Sequence, residues 1–415
     1  MRIAFATPEY VTEPEFDGGL ASYLHRAALS LVKMGHEPVI FVAAQENERF
    51  NHRGVEVRRV AKRHAGVRVL NRLTGRRFRK SFQWIEQSWN LRRAIQEAHR
   101  EEPIHIVQYA SYMATGLFRA RSIPSVVRIS SFEPLWQTAY ERRTEGWDER
   151  LIVKLEELSL RRADGLYGPS RLLADLVGKA LDRPVCVIEP PFHIVADEED
   201  ESARLDSLAG RQYLLFFGSI GLLKGAGLIA GIIGEILDRH RDLCFAFVGK
   251  DQGFRGQPMM EHIRRQAGPF RDRVRHLGRL EWNKLHPVIR GAYAVVLPSR
   301  IDNLPNTCLE AMALGKVVIG SRGGSFEELI EEEVSGFLVD NDDGADLLGT
   351  LEEVLQLDDG RIRQIGEAAR KKIEEMHPES VMPKLLSFYR EHINGRGQRS
   401  EIDGMDRNIQ KKTTA

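Results

Sequence analysis

Two rhythms alternate along the chain: short apolar runs, then stretches in which apolar residues recur every three or four positions, with glycine-bearing turns between them. Arg2 to Thr7 predicts a strand, Asp17, Gly18 and Gly19 a turn, and Leu20 to Met34 an amphipathic helix that Gly35 ends. Pro38 to Ala43 predicts the next strand, and Ile104 to Tyr109, Ser125 to Ile129, Gly165 to Tyr167 and Val185 to Ile188 four more. Leu151 to Arg162 has the helical period. Strands alternating with helices predict a parallel sheet covered on both faces.

Pro190 and Pro191, followed by the acidic run Asp197, Glu198, Glu199 and Asp200, read as a linker. A second alternation then begins. Leu214 to Phe217, Cys244 to Val248, Val274 to Leu277, Ala294 to Leu297, Val317 to Ile319 and Phe337 to Val339 predict strands, and Gly227 to Arg239 a helix. The expectation is therefore two α/β domains, at 1–190 and 211–379. A helix of about 380–393 follows, and the polar residues 394–415 are expected to be a disordered tail.

A length of 415 residues supports two cores. Lys+Arg of 60 against Asp+Glu of 59 gives no reason to expect nucleic acid. The three cysteines, Cys186, Cys244 and Cys308, form no C-x-x-C pair, which argues against zinc sites and a disulfide framework and suits a reducing cytoplasm. The start, MRIAFATPEY, reads as a strand and not as a signal peptide. No apolar run is long enough to span a bilayer.

The most informative stretch is PSRIDNLPNTCLEAMALGKVVIG, Pro298 to Gly320. A strand ends at Leu297, a turn follows, and a helix starts near Thr307. Ligands of open α/β sheets bind beyond the carboxyl ends of strands, and a helix start offers backbone N–H groups to a phosphate. Pro305 has no N–H, so Asn306 and Thr307 supply the useful amides. Asp302 in the turn and Glu310 one turn into the helix can face one cavity, where carboxylates accept hydrogen bonds from paired hydroxyls. Equally, they read as a capping aspartate and a solvated helical glutamate. The second stretch is FFGSIGLLKGAG, Phe216 to Gly227, a strand and a glycine turn carrying Lys224. It matches neither the P-loop nor the dinucleotide fingerprint. Lys224 reads as a phosphate contact or as a solvated turn lysine.

In this order and spacing, the two stretches resemble family 4 of the retaining glycosyltransferases. Gly18-Gly19, Gly35-His36-Glu37, Ala163-Asp164 with Pro169-Ser170, Gly323-Gly324 with Glu327, and Ser335-Gly336-Phe337 extend the likeness from residue 1 to about 390. The resemblance implies the α/β GT-B fold, two Rossmann-like domains with parallel sheets facing across a cleft. It implies a sugar-nucleotide donor and no cofactor or metal. Lys224 would hold the donor phosphates, Asp302 would lie near the transferred sugar, and Glu310 would bind the ribose. Gly18 and Gly19 would face the phosphates from the N-terminal domain, and Gly278 and Arg279 would lie near the base. Ser219, Asn303, Leu304, Asn306 and Thr307 would line the donor. A glycan or lipid-linked acceptor is implied. A binding protein without turnover, a phosphorylase and an epimerase of the same fold remain alternatives.

Four positions depart from the family: Ser219 replaces an arginine, Asp302 a glutamate, Ser130-Ser131 a histidine, and His105 an aspartate. Asp340-Asn341-Asp342 forms a D-x-D, read as a polar turn in preference to a metal site. None of the 13 histidines falls in an H-E-x-x-H. The basic stretch 62–80, with Arg63, Arg68, Arg72, Arg76, Arg77 and Arg79 between apolar residues, fits peripheral membrane contact, an anionic acceptor, or a solvated face.

Overall fold

A computed structural model describes residues 1–14, 19–62, 65–135, 146–194, 208 and 210–413, with no account of side chains at 65, 66, 68 and beyond 395. The chain divides into two compact units, Met1–Pro191 with Pro378–Ala415, and Phe192–His377. The acidic run at 197–200 lies outside the described residues.

The first unit runs β1 (Arg2–Thr7), α1 (Gly19–Lys33), β2 (Glu37–Ala44), β3 (Glu48–His52), β4 (Val55–Ala61), α2 (Ala65–Leu73), α3 (Arg79–Glu101), β5 (Ile106–Ala110), β6 (Ser125–Arg128), α4 (Trp147–Arg162), β7 (Gly165–Gly168), α5 (Arg171–Leu181) and β8 (Cys186–Val187). Its sheet order is β3-β4-β2-β1-β5-β6-β7-β8. Every pairing is parallel except β3 with β4. Ile3 sits opposite both Pro38 and Ile106, so β1 lies at the centre, and all six of its residues are buried. The β3–β4 hairpin escapes the periodicity reading because β3 is a charged, largely exposed edge with no apolar run.

The second unit runs β9 (Gln212–Phe217), α6 (Ala226–Arg239), β10 (Leu243–Val248), α7 (Met259–Gln266), β11 (Val274–His276), α8 (Trp282–Gly291), β12 (Ala294–Leu297), α9 (Asn306–Ala313), β13 (Val317–Ser321), β14 (Phe337–Val339), α10 (Gly344–Leu355) and α11 (Asp359–Glu374). Its order is β11-β10-β9-β12-β13-β14, all parallel. Leu214 and Phe216 of β9 pack with Ile229, Ile233 and Ile236 of α6 in one buried cluster. Each such side chain contributes about 1.5–3 kcal/mol on burial.

The final helix, α12 (Pro378–Thr413), belongs to the first unit, where the Tyr389 hydroxyl donates to Gln108 Oε1 of β5. Its backbone continues past the end expected near residue 393. Among the described residues, no helix is long and apolar enough to cross a membrane.

Both sheets wind outward from their first strand. The order reverses between β1 and β5 in one unit and between β9 and β12 in the other. These are the points at which open parallel sheets take ligands.

Candidate functional site

In the second unit the turns after β9 and β12 lie against each other. The Arg300 N–H donates to Leu223 O at 2.9 Å. Gly225 has φ 81°, and a Cβ there would run into the Pro298 carbonyl oxygen, so the approach requires glycine. One 3-10 turn, Leu222–Lys224, carries Lys224 into this junction, and its ammonium donates to Asp302 Oδ2. The two residues are 78 positions apart in the chain. The Asp302 side chain is 12% exposed and that of Lys224 33%, so solvent and salt screen the pair less than a surface pair.

The acidic turn is held from below. Ser325, fully buried in the 3-10 turn after β13, donates to Asp302 O at 3.1 Å and to Asn303 O. α9 then starts at Asn306. The N–H groups of Cys308 and Leu309 bond back to Pro305 O, while Pro305 itself has no side-chain oxygen with which to cap the N–H groups of Asn306 and Thr307. Thr307 lies against Gly218 of the other turn. Ser219, Asn303, Leu304, Asn306 and Thr307 are half-buried, and Glu310 is buried one turn into α9. Burial raises the Cys308 thiol pKa, and the nearby Asp302 charge adds to the rise. Lys224, Asp302, Asn306 and Thr307 therefore meet at one junction, with Glu310 inside the helix that leaves it.

Gly278 and Arg279 follow β11 at the far side of β10. The Gly249 N–H, just past β10, donates to Gly278 O at 2.7 Å. Arg279 is exposed. In the turn after β10 opens a cavity of about 570 Å³ lined by residues 251–258. Asp251 organises that turn by accepting from the N–H groups of Gly253, Met259 and Met260 at 2.8–2.9 Å. Burial acts to raise its pKa, but those bonds and the charge of His276 win and lower it.

The D-x-D carboxylates diverge: Asp342 pairs with Arg300 at 2.7 Å and Asp340 with Arg322 at 3.3 Å. Among the described residues, no three His, Cys, Asp or Glu side chains are placed to hold a metal ion.

The edge of the first unit is built differently. Gly19 is the first residue of α1, while Asp17 and Gly18 lie outside the described residues. Where the resembled family has histidine, Ser130 and Ser131 form a turn knitted to β5. Ser111 Oγ accepts from both their N–H groups at 3.0 and 3.1 Å and donates to Ser131 O at 2.8 Å. His105, where the resembled family commonly has aspartate, accepts the Arg2 N–H through Nδ1 at 2.9 Å.

Two buried ionisable groups at this edge went unread in the sequence. Glu156 of α4 is fully buried. Its Oε2 accepts from the Glu133 N–H at 2.7 Å, and among the described residues its Oε1 has no partner within hydrogen-bond distance, the Ser131 hydroxyl lying only near it. Burial pushes its pKa well above the carboxylate range. The Glu133 N–H bond and the Ser131 hydroxyl oppose the rise, and the Glu133 charge adds to it. Arg128, the last residue of β6, is 6% exposed and stacks over Tyr23 of α1, with the guanidinium carbon 3.7 Å from the ring centroid. Both lie inside predicted regular elements, where periodicity locates a position without telling whether its charge is paired.

Comparison with known proteins adds family identity to this geometry. Residues 211–357 match the family described as Glycosyl transferases group 1, and residues 18–190 match the Glycosyl transferase 4-like domain. Alpha-D-kanosaminyltransferase of Streptomyces kanamyceticus is 27% identical over 291 residues, 68% of this chain and 74% of its own. Among solved structures, sucrose-phosphate synthase of Thermosynechococcus elongatus superposes with a TM-score of 0.73 at 17% identity, covering 95% of this chain and 99% of that one. HepE of Anabaena, solved with UDP and glucose, gives 0.67 at 16% identity, covering 94% and 99%. These likenesses establish the GT-B fold.

Proposed function

The chain belongs to the group 1 glycosyltransferases, and from that premise we propose that it moves a sugar from a nucleotide-sugar donor to an acceptor hydroxyl with retention at the anomeric carbon. The observation that carries the donor assignment is the junction of Lys224, Asp302 and the start of α9 at the point where the sheet order reverses. Breaking the bond from sugar to diphosphate builds negative charge on the leaving phosphate and positive charge on the ring. Fixed donors aimed at the leaving group lower that barrier. An ammonium carries three N–H donors. Lys224 gives one to Asp302, leaving two for phosphate oxygens, and the Asn306 and Thr307 amides add to the cradle. Asp302 orients the sugar and favours the developing ring charge. Glu310 grips the ribose hydroxyls. The acceptor hydroxyl attacks from the face that the phosphate leaves, and the phosphate oxygen takes its proton. No step in this scheme calls on a metal ion.

A thermal-shift series with nucleoside diphosphates and their sugars tests the donor assignment. A ligand at 100 times its dissociation constant stabilises by about 2.7 kcal/mol. Absence of a shift with every base would remove the reading.

The acceptor side carries a second observation. On α2, Val69 is 60% exposed and Leu73 77%, and Arg72, Arg76, Arg77, Arg79 and Lys80 are exposed on or just beyond it. An apolar face flanked by cations suits an anionic lipid surface, and a lipid-linked acceptor would be met there. Co-sedimentation with phosphatidylglycerol vesicles but not with phosphatidylcholine vesicles is expected. Equal recovery with both sinks the idea.

A further inference from the structure

Arg2 and Arg128 are the two buried arginines among the described residues of the first unit, and they are compensated differently. Arg2, equally buried, pairs with Glu56 and Glu102. Arg119 pairs with Asp164, and Arg183 donates to three backbone carbonyls. Among the described residues, the Arg128 guanidinium has no ion-pair or hydrogen-bond partner, and its Nε is buried without one. The guanidinium lies over the face of Tyr23, its carbon 3.7 Å from the ring centroid. A cation–π contact recovers only part of what a guanidinium loses on leaving water, so among the described residues the charge is not fully compensated.

The surroundings hold that guanidinium in place. The Tyr23 hydroxyl lies 2.9 Å from the Tyr167 hydroxyl, and Tyr167 and Tyr389 both donate to Gln108 Oε1. Three side chains, from β5, β7 and α12, thus fix the Tyr23 ring on which Arg128 rests. In the sheet, Arg128 pairs with Ala110 and Tyr167, in the last layer before the carboxyl edge. The Ser130–Ser131 turn follows directly. A planar cation with several N–H donors, pre-oriented and lacking a counter-charge among the described residues, suits a tetrahedral oxyanion.

The geometry points to an oxyanion subsite on the first unit, formed by Arg128 on its Tyr23 platform, that takes a phosphate group carried by the acceptor. It deepens the glycosyltransferase reading by giving the acceptor a charge and rests on that reading for the word acceptor. Anion binding itself does not depend on it. The subsite also separates two sources of phosphate: a donor diphosphate belongs to Lys224 in the second unit, an acceptor phosphate to Arg128 in the first.

The test is thermal unfolding of the full chain with millimolar inorganic phosphate, and separately with a nucleoside diphosphate, for wild type, Arg128→Met, Arg128→Lys and Lys224→Ala. Comparing variants at equal phosphate cancels the general stabilisation that excluded anions give. Without phosphate, Arg128→Met should melt a few degrees above wild type, because it removes an uncompensated buried charge. Phosphate should raise the Tm of wild type and Lys224→Ala, raise that of Arg128→Lys less, and leave Arg128→Met unmoved. The nucleoside diphosphate shift should survive in Arg128→Met and weaken in Lys224→Ala. A phosphate shift that disappears in Lys224→Ala and persists in Arg128→Met overturns the proposal, as does loss of the nucleotide shift in Arg128→Met. If Arg128→Met does not fold, the ³¹P line width of phosphate decides the case: equal broadening by wild type and Arg128→Lys refutes the subsite, and weaker broadening by the lysine variant supports it. Failure of every nucleotide shift with the phosphate pattern intact would count against the donor assignment alone.

Discussion

The two sheets share one winding order yet finish their carboxyl edges in opposite ways. In the second unit the edge is made of short turns, and its charges are matched: Lys224 bonds Asp302, Arg300 bonds Asp342, and Asp251 collects three backbone N–H groups. In the first unit two ionisable groups sit below the edge, inside regular elements, and among the described residues they are not fully matched: Arg128 rests on an aromatic face, and one oxygen of Glu156 has no partner within hydrogen-bond distance. Common topology therefore does not imply common chemistry. A matched edge can exchange one of its own partners for a ligand group at little cost. An unmatched edge keeps a buried charge whose cost a ligand of the opposite sign would lower.

The largest expected effect lies at the matched edge. Lys224→Ala should lower kcat/KM for the donor by about 10- to 100-fold, on the scale of about 1.5–3 kcal/mol for a charged hydrogen bond, with little change in Tm. A variant that melts early but turns over normally would make the Lys224–Asp302 pair a purely structural tie. The acidic pair should divide its labour. Asp302→Asn keeps size and removes charge, so it should mainly lower kcat. Glu310→Gln loses a contact present in ground and transition states alike, so it should mainly raise the donor KM. Folded variants with unchanged donor kinetics would take the pair out of the site.

At the unmatched edge the effect is on stability. The folded-state pKa of Glu156 is raised above its ordinary 4.5, so its contribution is complete below that value and is lost as pH climbs toward the folded value. Glu156→Gln abolishes this loss. The Tm of the variant relative to wild type should therefore grow as pH rises through the range above about 4.5. A constant difference across that range would mean that Glu156 titrates as if it were in water. The smallest effect expected is none: excess chelator should leave transfer activity unchanged. Loss of activity that Mn²⁺ restores would transfer attention to Asp340 and Asp342, despite their separate arginine partners.

Legibility in the sequence followed how local each feature is. The strands of the second unit, Leu214 to Phe217 through Phe337 to Val339, are found within a residue or two of their predicted places because each is a buried apolar run between turn residues. The β3–β4 hairpin was not seen, since an exposed edge strand needs no apolar alternation. Ser130 and Ser131 read only as departures from a family pattern, and their bonds to Ser111 show them to be a structural turn. Arg128 and Glu156 gave no signal at all, because a charged residue in a strand or helix looks the same whether or not it meets a partner.

By itself the sequence determined the local pieces: a strand, a glycine turn and Lys224 in one place, and a strand, an acidic turn and the Glu310 helix in another. Turn residues, helix starts and apolar periods act over a few neighbouring positions, so they can be read from neighbouring letters. Only the tertiary structure decided that β9 lies beside β12, that Gly225 passes under Pro298, and that Lys224 therefore reaches Asp302. It likewise decided that Arg128 rests on Tyr23 and, among the described residues, not on a carboxylate. The physical reason is that the compensation of a charge depends on groups brought together by strand order, across separations at which the chain carries no local memory of its partner.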